Sequence, residues 1–314
     1  MTKYINGLEW FQMKKVVAIG GGTGLATLLR GLKKYPVEIS AIVTMTDDGA
    51  STGRLRREMG VLPPGDIRKC IAALAENESE LLDLFNYRFK KGFGIAGHSM
   101  GNLFLTALKD TTGSFEGAIE KASELLNIKG RVIPATLEDV HLGAEFDDGS
   151  RVMGEHKITQ YGYGIKIKNV FLSKDAKSNP RAVSAIKNAD IILVGPGSLY
   201  TSVIPNFLHP EICQALKKSK AKKIYICNVS TERGETEKFK VSDHLSSLSD
   251  VGINFDITLA NSKMFPKGSG DGFVDPVEID TFKNIVSSEL SDSENPLYHD
   301  PDKLAKAVFD IIEA

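Results

Sequence analysis

Two glycine-rich segments, each placed directly after a short apolar run, constrain this 314-residue chain more than any other feature. They read Gly20-Gly21-Gly22-Thr23-Gly24, after Val16 to Ile19, and Gly195-Pro196-Gly197-Ser198, after Ile191 to Val194. A helix-compatible segment follows each of them, so each predicts a strand-to-helix turn with several backbone N–H groups at a helix N-terminus. Unpaired N–H donors and the positive end of the helix dipole attract phosphate. The pair of loops therefore predicts a nucleotide-type ligand.

The first loop differs from the two best-known phosphate-binding patterns. The third glycine of a G-x-G-x-x-G dinucleotide fingerprint would fall at Leu25, and no Gly-Lys-Ser/Thr follows as a Walker A loop requires. An NAD-dependent oxidoreductase thus remains an alternative on fold analogy alone. A second alternative is that the glycines serve only a tight turn between a strand and a helix.

Composition points to a small-molecule partner inside the cell. The chain has 39 basic and 40 acidic residues, a net charge of −1, so no global basic field attracts nucleic acid. The three cysteines form no C-x-x-C pair, which favours neither a disulfide framework nor a zinc site. No apolar stretch approaches the roughly 20 residues that span a bilayer. We expect a cytoplasmic protein without a membrane span.

The alternation of apolar runs and helical periodicity predicts an α/β fold, a Rossmann-like doubly wound and mostly parallel sheet. We expect an N-terminal extension over residues 1–13 and a single nucleotide-binding domain over 14–314. That domain is predicted to carry a helical insert at about 66–127 and a small antiparallel excursion at about 131–172, which could form a flap or an oligomer contact. A polar loop carrying Thr46-Asp47-Asp48-Gly49 is predicted after the second strand, and Ser287 to Asp302 is predicted as a loop before a last helix. In such sheets ligands bind beyond the carboxyl ends of the strands.

The polar segment after the second predicted strand supplies the first candidate side chains. Asp47 or Asp48 could reach ribose hydroxyls, the base, or a Mg²⁺ ion that bridges phosphates. Ser51, Arg54 and Arg56 add a hydroxyl and two guanidinium groups suited to a diphosphate. A solvated loop with a helix cap at Ser51 is the alternative.

Two further helix starts carry polar candidates. Asp66, after Pro63-Pro64-Gly65, is interpreted equally well as a helix N-cap or as a metal or substrate ligand. In the segment from Gly97 to Asn102, small residues would let the backbone approach a ligand. His98 could act there as a general acid or base, although a hydrogen-bonded structural histidine is the commoner case.

The second half of the chain offers a second anion site and a selection site. Ser198, Thr201 and Ser202 add hydroxyl donors to the backbone donors of the second glycine loop. The segment from Asn228 to Thr236 follows the next strand and would select a base or a sugar. No histidine lies in an H-E-x-x-H pattern, so the sequence predicts no transition-metal site.

The ordered set of motifs resembles the YvcK-like gluconeogenesis factors, which are related to the CofD 2-phospho-L-lactate transferases. The motifs are Gly-Gly-Gly-Thr-Gly, Thr-Asp-Asp-Gly-x-Ser-x-Gly-x-Leu-Arg, Pro-Pro-Gly-Asp, Gly-x-x-x-Gly-Asn and Gly-Pro-Gly-Ser-Leu-Tyr-Thr-Ser, and the resemblance runs from about Lys14 to Asn261. For the YvcK-like branch the resemblance implies a bound UDP-sugar such as UDP-N-acetylglucosamine, and a role linking central carbon metabolism to cell-wall synthesis and cell shape. For the CofD branch it implies Mg²⁺-dependent transfer of a phospholactyl group from a nucleotide-linked donor.

The resemblance also implies roles for sixteen residues. It assigns phosphate to Gly21, Gly22, Thr23 and Gly24; ribose, base or metal to Asp47 and Asp48; diphosphate or sugar to Ser51 and Arg54; the sugar end to Gly101 and Asn102; the second phosphate contact to Gly197, Ser198, Tyr200 and Thr201; and base selection to Asn228 and Thr231.

Two functions follow as hypotheses. The first is a nucleotide-sugar-binding regulator without turnover of its own, because no nucleophile or acid–base constellation is recognisable in the sequence. The second is a CofD-like transferase, because paired aspartates could hold Mg²⁺ at a diphosphate. A homo-oligomer and a protein partner in cell-wall synthesis are further expectations.

Overall fold

A computed structural model of the chain describes residues 13–76, 80–266, 274–281 and 283–314. The described strands are β1 (Lys14–Gly20), β2 (Val37–Val43), β3 (Arg131–Pro134), β4 (Leu142–Phe146), β5 (Arg151–Met153), β6 (Ile167–Leu172), β7 (Ile191–Val194), β8 (Lys222–Ile226), β9 (Ile257–Asn261) and β10 (Ile285–Ser288). The described helices are α1 (Gly22–Leu32), α2 (Ala50–Met59), α3 (Gly65–Leu74), α4 (Glu80–Asn86), α5 (Met100–Thr112), α6 (Phe115–Leu125), α7 (Glu155–Tyr161), α8 (Pro180–Lys187), α9 (Pro210–Lys218), α10 (Val241–Asp250) and α11 (Pro301–Glu313).

Seven strands form one parallel sheet in the order β10-β9-β8-β7-β1-β2-β3. The chain builds outward from β1 through β2 to β3, and then crosses to β7 on the other side of β1. The strand order therefore reverses between β1 and β7, and such a switch point leaves a crevice at the carboxyl ends of the two strands. The two glycine-rich loops begin at this crevice. The predicted Rossmann-like α/β fold is confirmed.

Apolar layers on both faces hold this sheet in place. The central strands β1 and β7 are buried along nearly their whole length, as expected for a parallel sheet covered on both sides. One face packs against α1, α3 and α11, and the other packs against α8, α9 and the smaller sheet. Full burial of one such aliphatic side chain stabilises the fold by about 1.5–3 kcal/mol. The crevice therefore has a rigid base.

The smaller sheet is antiparallel, in the order β5-β4-β6. Its hairpin turns at residues 147–149, as predicted. The predicted start of the excursion at residue 131 is wrong, because β3 pairs in parallel with β2 and extends the large sheet. Residues 132–134 are buried there, and a strand this short carries too few residues to reveal its sheet from sequence.

Further elements differ from the sequence predictions. The predicted polar loop at residues 46–49 ends where α2 begins, at Ala50 with Gly49 at its N-cap, so Ser51 lies inside the helix and does not cap it. The helix is polar in sequence, and this hid its periodicity. The sequence also gave no sign of α7, while β10 begins just before the predicted loop at residues 287–302. Residues 1–12 of the expected extension lie outside the described residues.

No described helix combines the length and the apolar character that crossing a bilayer requires.

The position of α1 depends on a close approach to α11 at Gly31. A methyl group at Gly31 would collide with the carbonyl oxygen of Pro301 and would lie 2.7 Å from Ala305 Cβ. We therefore expect Gly31→Ala to lower the free energy of unfolding by about 1–3 kcal/mol, as overpacking does elsewhere. Urea unfolding measures the change. The exposed neighbour Arg30 provides the control: Arg30→Ala is expected to change stability by less than about 1 kcal/mol. Equal effects of the two substitutions would contradict the close packing.

Candidate functional site

A cleft of about 440 Å³ opens at the carboxyl edge of the sheet, where β1 and β7 end. This volume is within the range of small-molecule sites. Half of the sixteen residues predicted from the sequence line it: Gly22, Thr23, Gly24, Asp47, Gly197, Ser198, Asn228 and Thr231. The structure thus brings both glycine-rich loops and the segment after β8 together in one place.

The two glycine-rich loops touch each other. A Cβ atom on Gly24 would lie 2.6 Å from Pro196 O and 2.8 Å from Gly197 N. Gly22 has a φ of +65°, a backbone conformation that residues other than glycine rarely adopt. The two phosphate cradles of the sequence are therefore two walls of one cleft, and glycine is required where the walls meet.

At the first wall, the start of α1 already holds an internal carboxylate. Gly22 N donates to Asp66 Oδ2 over 2.7 Å, and Asp66 Oδ1 accepts from Lys69 Nζ over 2.9 Å. The capping interpretation of Asp66 is wrong, because Pro64 occupies the N-cap of α3 and Asp66 lies in its first turn. The side chain of Asp66 serves α1 instead. The N–H groups of Thr23 and Gly24, also in the first turn of α1, have no acceptor within the helix.

At the second wall, a buried glutamate fills the position predicted for phosphate. Residues Leu199–Val203 form a π-helical turn, and Tyr200 N donates to Glu235 Oε2 over 3.2 Å. Thr201 Oγ1 donates to the other oxygen of Glu235 over 2.8 Å. Tyr200 and Thr201 themselves are buried and do not line the cleft. Their contact with a ligand stays a prediction, and their observed partner is Glu235.

Asn228 fixes the second loop in place. Its Oδ1 accepts from Gly197 N and its Nδ2 donates to Gly197 O, both over 3.0 Å. The amide thus spans the loops after β7 and β8, while Thr231 anchors its own loop through a bond from Asp275 N to Thr231 Oγ1 of 3.0 Å. Both residues also line the cleft, so base selection by them stays a prediction.

The paired aspartates have different partners. Asp47 lines the cleft, and its carboxylate accepts from Gly49 N and Thr52 Oγ1, each over 2.8 Å. Asp48 is turned away and accepts from His156 N, in the first turn of α7, over 3.0 Å. Asp48 therefore ties α7 to the loop after β2, and this contact places Glu155, the first residue of α7, at the cleft.

Two carboxyl groups of the cleft bind protons more tightly than usual. Burial raises the pKa of Glu155 well above its ordinary value, and the neighbouring charges of Asp47 and Asp66 raise it further. Burial, and then Glu235, raise the pKa of Glu232 to about 8, against the effect of a hydrogen bond from Ser198. Glu232 is therefore largely protonated near neutral pH and can donate a hydrogen bond, and the raised pKa of Glu155 acts in the same direction.

Two cationic side chains line the cleft as well. Lys69 extends from α3 beside Asp66; burial acts to lower the pKa of Lys69, but the Asp66 carboxylate outweighs it and the net pKa is raised. Arg233 stacks on Tyr163 of the segment after α7, with its guanidinium carbon 4.2 Å from the ring centroid. The cleft therefore offers positive charge at two separate points.

Four predicted residues lie beside the cleft and do not line it. Ser51 Oγ accepts from Asn102 Nδ2 over 3.1 Å and lies 2.9 Å from His98 Nδ1. Arg54 donates to Ala96 O over 2.5 Å, and Gly101 gives room to the carbonyl of Phe85, 2.6 Å from where its Cβ would be. This cluster joins α2 to the start of α5. Burial, and then Arg54, lower the pKa of His98, which favours its interpretation as a neutral structural histidine.

Sequence analysis missed the wall made by the loop before α11. Leu297, Tyr298 and His299 line the cleft, although they lie more than 60 residues after the segment that they face. Ser230 Oγ donates to Leu297 O over 2.9 Å, and this bond holds the loop before α11 against the segment after β8. Burial lowers the pKa of His299 to about 4, so its ring is neutral. No short-range signal in the sequence marks these residues, because only the tertiary fold places them here.

Within the described residues, no group of three or more His, Cys, Asp or Glu side chains could hold a metal ion by itself. Mg²⁺ usually takes one or two carboxylates together with phosphates of its substrate. In the cleft, Glu155 Oε2 is buried without a hydrogen-bond partner among those same residues. A Mg²⁺ ion that arrived on a phosphate could take Asp47 and Glu155 as protein ligands, and it would have to compete with the proton that burial favours on Glu155.

The sequence profile of the family described as 2-phospho-L-lactate transferase CofD matches residues 16–314, nearly the whole chain. The chain belongs to the CofD family. This match confirms the resemblance drawn from the motifs, and it extends past Asn261 through the last helix.

Relatives within the family agree. The chain is 51% identical over 248 residues to a gluconeogenesis factor of Halalkalibacterium halodurans, covering 78% of this chain and 76% of that protein. It is 42% identical to the gluconeogenesis factor of Bacillus subtilis, covering 96% and 99%. A crystal structure of a protein member of the UPF0052 family from Bacillus halodurans superimposes with a TM-score of 0.90 at 43% identity, covering 95% and 99%.

The raised pKa of Glu232 predicts a specific pH dependence of stability. Its pKa of about 8 in the folded chain exceeds the ordinary 4.5, so the folded state binds this proton more tightly. The resulting stabilisation is present at low pH and is lost as the pH rises toward 8. Relative to Glu232→Gln, the wild-type free energy of unfolding should fall between about pH 5 and pH 8, by at most about 1.4 kcal/mol per pH unit.

Urea unfolding across this range measures the difference. The exposed Glu294 provides the control, and Glu294→Gln should run parallel to wild type. A Glu232→Gln curve parallel to wild type would mean that Glu232 is ionised throughout the range.

Proposed function

We propose that this chain is a regulatory protein that binds a nucleotide sugar, with the diphosphate of the ligand at the start of α1. The observation that carries the proposal is the placement of the first turn of α1 and of Lys69 at one end of a cleft at the switch point. Helix N-termini at this point of a doubly wound sheet bind phosphate in many unrelated proteins.

The rest of the cleft suits the uncharged parts of such a ligand. Asp47, Glu155 and Glu232 offer carboxyl oxygens to sugar hydroxyls, and the pKa of Glu232, raised to about 8, lets this side chain donate a hydrogen bond as well. At the other wall, Tyr298 exposes 58% of its surface and presents an aromatic face to which a base can stack. A UDP-sugar such as UDP-N-acetylglucosamine, as the resemblance implies, has all three parts.

The regulatory role rests on the relatives named gluconeogenesis factor. Binding of a cell-wall precursor by such a protein would link central carbon metabolism to cell-wall synthesis and cell shape. None of the described residues that line the cleft is a cysteine: Cys70 and Cys227 are buried elsewhere, and burial raises the pKa of the Cys227 thiol to about 12. This chemistry is consistent with a ligand that is bound and released unchanged.

A Mg²⁺-dependent transferase is the second candidate. It is favoured by the unpartnered Glu155 Oε2 beside Asp47, and by the description of the family that the chain belongs to. Bound Mg²⁺ would polarise the phosphoryl group of a nucleotide-linked donor. In that case Glu155 and Asp47 would orient the ion, and the neutral His299 would face the same cleft.

The two basic residues Lys69 and Arg54 separate the structural account from the sequence prediction. Lys69→Ala removes a cation that lines the cleft, and a charge-assisted contact of this kind contributes about 1.5–3 kcal/mol. We expect calorimetric titration with UDP-N-acetylglucosamine to show binding that Lys69→Ala weakens about tenfold or more. Arg54→Ala, the matched control outside the cleft, should bind as wild type does.

The same titration is run with and without Mg²⁺, and the recovered ligand is examined by mass spectrometry. Intact ligand supports the regulator. Cleaved ligand in the presence of Mg²⁺ supports the transferase. Stronger loss in Arg54→Ala than in Lys69→Ala would move the diphosphate away from α1, toward the cluster between α2 and α5.

A further inference from the structure

We propose that Asp66 is a built-in competitor for the phosphate position of α1, so that the cleft selects ligands carrying a multiply charged phosphate group able to displace it. This inference rests on the proposed function and adds the means of selection. In the structure the Asp66 carboxylate accepts from Gly22 N over 2.7 Å, which is the donor that a phosphate oxygen would use.

The bond from Gly22 N to Asp66 is a tertiary contact and not a local helix cap. The carboxylate takes the place that a phosphate oxygen of a ligand would take. The N-cap residue Gly21 has no side chain to offer, and α1 has no acidic residue in its first turn. The carboxylate comes instead from α3, 44 residues further along the chain. An anion at a helix N-terminus is stabilised by the helix dipole and by the unpaired N–H groups. Asp66 therefore supplies the charge that this position favours.

The space around the bond between Gly22 N and Asp66 is too small for a side chain on the neighbouring Gly21. A Cβ atom on Gly21 would lie 2.9 Å from Asp66 Oδ2 and 2.6 Å from Thr44 Cγ2. Gly22 N carries a single hydrogen and already donates it to Asp66, so an incoming phosphate oxygen competes with this carboxylate for the same donor. Binding of phosphate at this donor requires that Asp66 leaves it.

The surroundings of Asp66 allow this exchange. Asp66 lines the cleft and shares its second oxygen with Lys69, whose side chain is 35% exposed. Lys69 can keep Asp66 as a partner after the exchange, or contact the phosphate itself. Both carboxylates are buried, but Glu235 at the second wall does not line the cleft and is held by Tyr200 and Thr201. A ligand can therefore displace Asp66 at the first wall, whereas Glu235 keeps its partners at the second wall.

Charge decides which ligands gain from the exchange. A singly charged carboxylate ligand replaces Asp66 by an equivalent group and gains little. A diphosphate brings more charge and more acceptor oxygens, which can reach the N–H groups of Thr23 and Gly24 as well as Lys69. Competition with Asp66 thus lowers the affinity for nucleosides and simple carboxylates more than the affinity for nucleoside diphosphates.

The test compares two substitutions that remove one carboxylate charge each. Asp66→Asn leaves a weaker, neutral acceptor at Gly22 N, whereas Asp47→Asn changes the charge of the cleft without touching the start of α1. Calorimetric titration with UDP, in EDTA to remove metal ions, is expected to show about tenfold tighter binding by Asp66→Asn than by wild type. Asp47→Asn should gain about threefold or less, through the general change in charge.

Equal gains in the two variants would overturn the proposal, because only the overall charge of the cleft would then matter. Weaker binding by Asp66→Asn would also overturn it, since Asp66 would then contact the ligand. Absence of UDP binding in all three proteins would reject the proposed function together with this inference.

A measurement without ligand distinguishes these failures. In the amide NMR spectrum of the free protein, Asp66→Asn should move the Gly22 resonance and Asp47→Asn should leave it nearly unchanged. A Gly22 resonance that Asp66→Asn does not move would reject the internal contact even where UDP binds.

Discussion

Backbone N–H groups at the carboxyl edge of the sheet need acceptors, and the cleft is built around the way the chain supplies them. Asp66 accepts from Gly22 N, Glu235 accepts from Tyr200 N, and Asn228 accepts from Gly197 N. Each acceptor comes from an element distant in sequence, so these three bonds tie α1 to α3 and the loop after β7 to the loop after β8. Because an unsatisfied buried donor destabilises a fold by about 1–3 kcal/mol, these contacts fix the walls as well as their charge.

The same bonds divide the two glycine-rich loops by role. Both have the sequence of a phosphate cradle, but Glu235 is buried behind the second loop, whereas Asp66 faces the cleft beside Lys69. The second loop therefore keeps Glu235 as an internal acceptor that does not line the cleft, and burial raises the pKa of this glutamate. Together with the raised pKa values of Glu155 and Glu232, this arrangement leaves the start of α1 as the place where added negative charge is best tolerated.

Sequence analysis predicted the sheet and the crevice because the signals are local: buried runs such as Val16 to Ile19, followed by glycine, mark the strand ends. It failed where the signal is tertiary or the helix is polar. Ser51 and Arg54, predicted at the ligand from their hydroxyl and guanidinium groups, lie in α2 and do not line the cleft, so their contact with a ligand stays a prediction. Glu155 and Tyr298 were not found, because the fold alone brings them to the cleft. The motifs identify the family, but the residues that line the cleft can be identified only from the three-dimensional structure.

The central claim is that the diphosphate of a nucleotide sugar lies at the start of α1. A crystal structure of the chain grown with UDP-N-acetylglucosamine tests this claim most directly. The account predicts phosphate oxygens within hydrogen-bond distance of Gly22 N and near Lys69 Nζ, with Glu235 still bonded to Tyr200 N. A diphosphate bound at Tyr200 and Thr201, or beside Arg54 between α2 and α5, would contradict it.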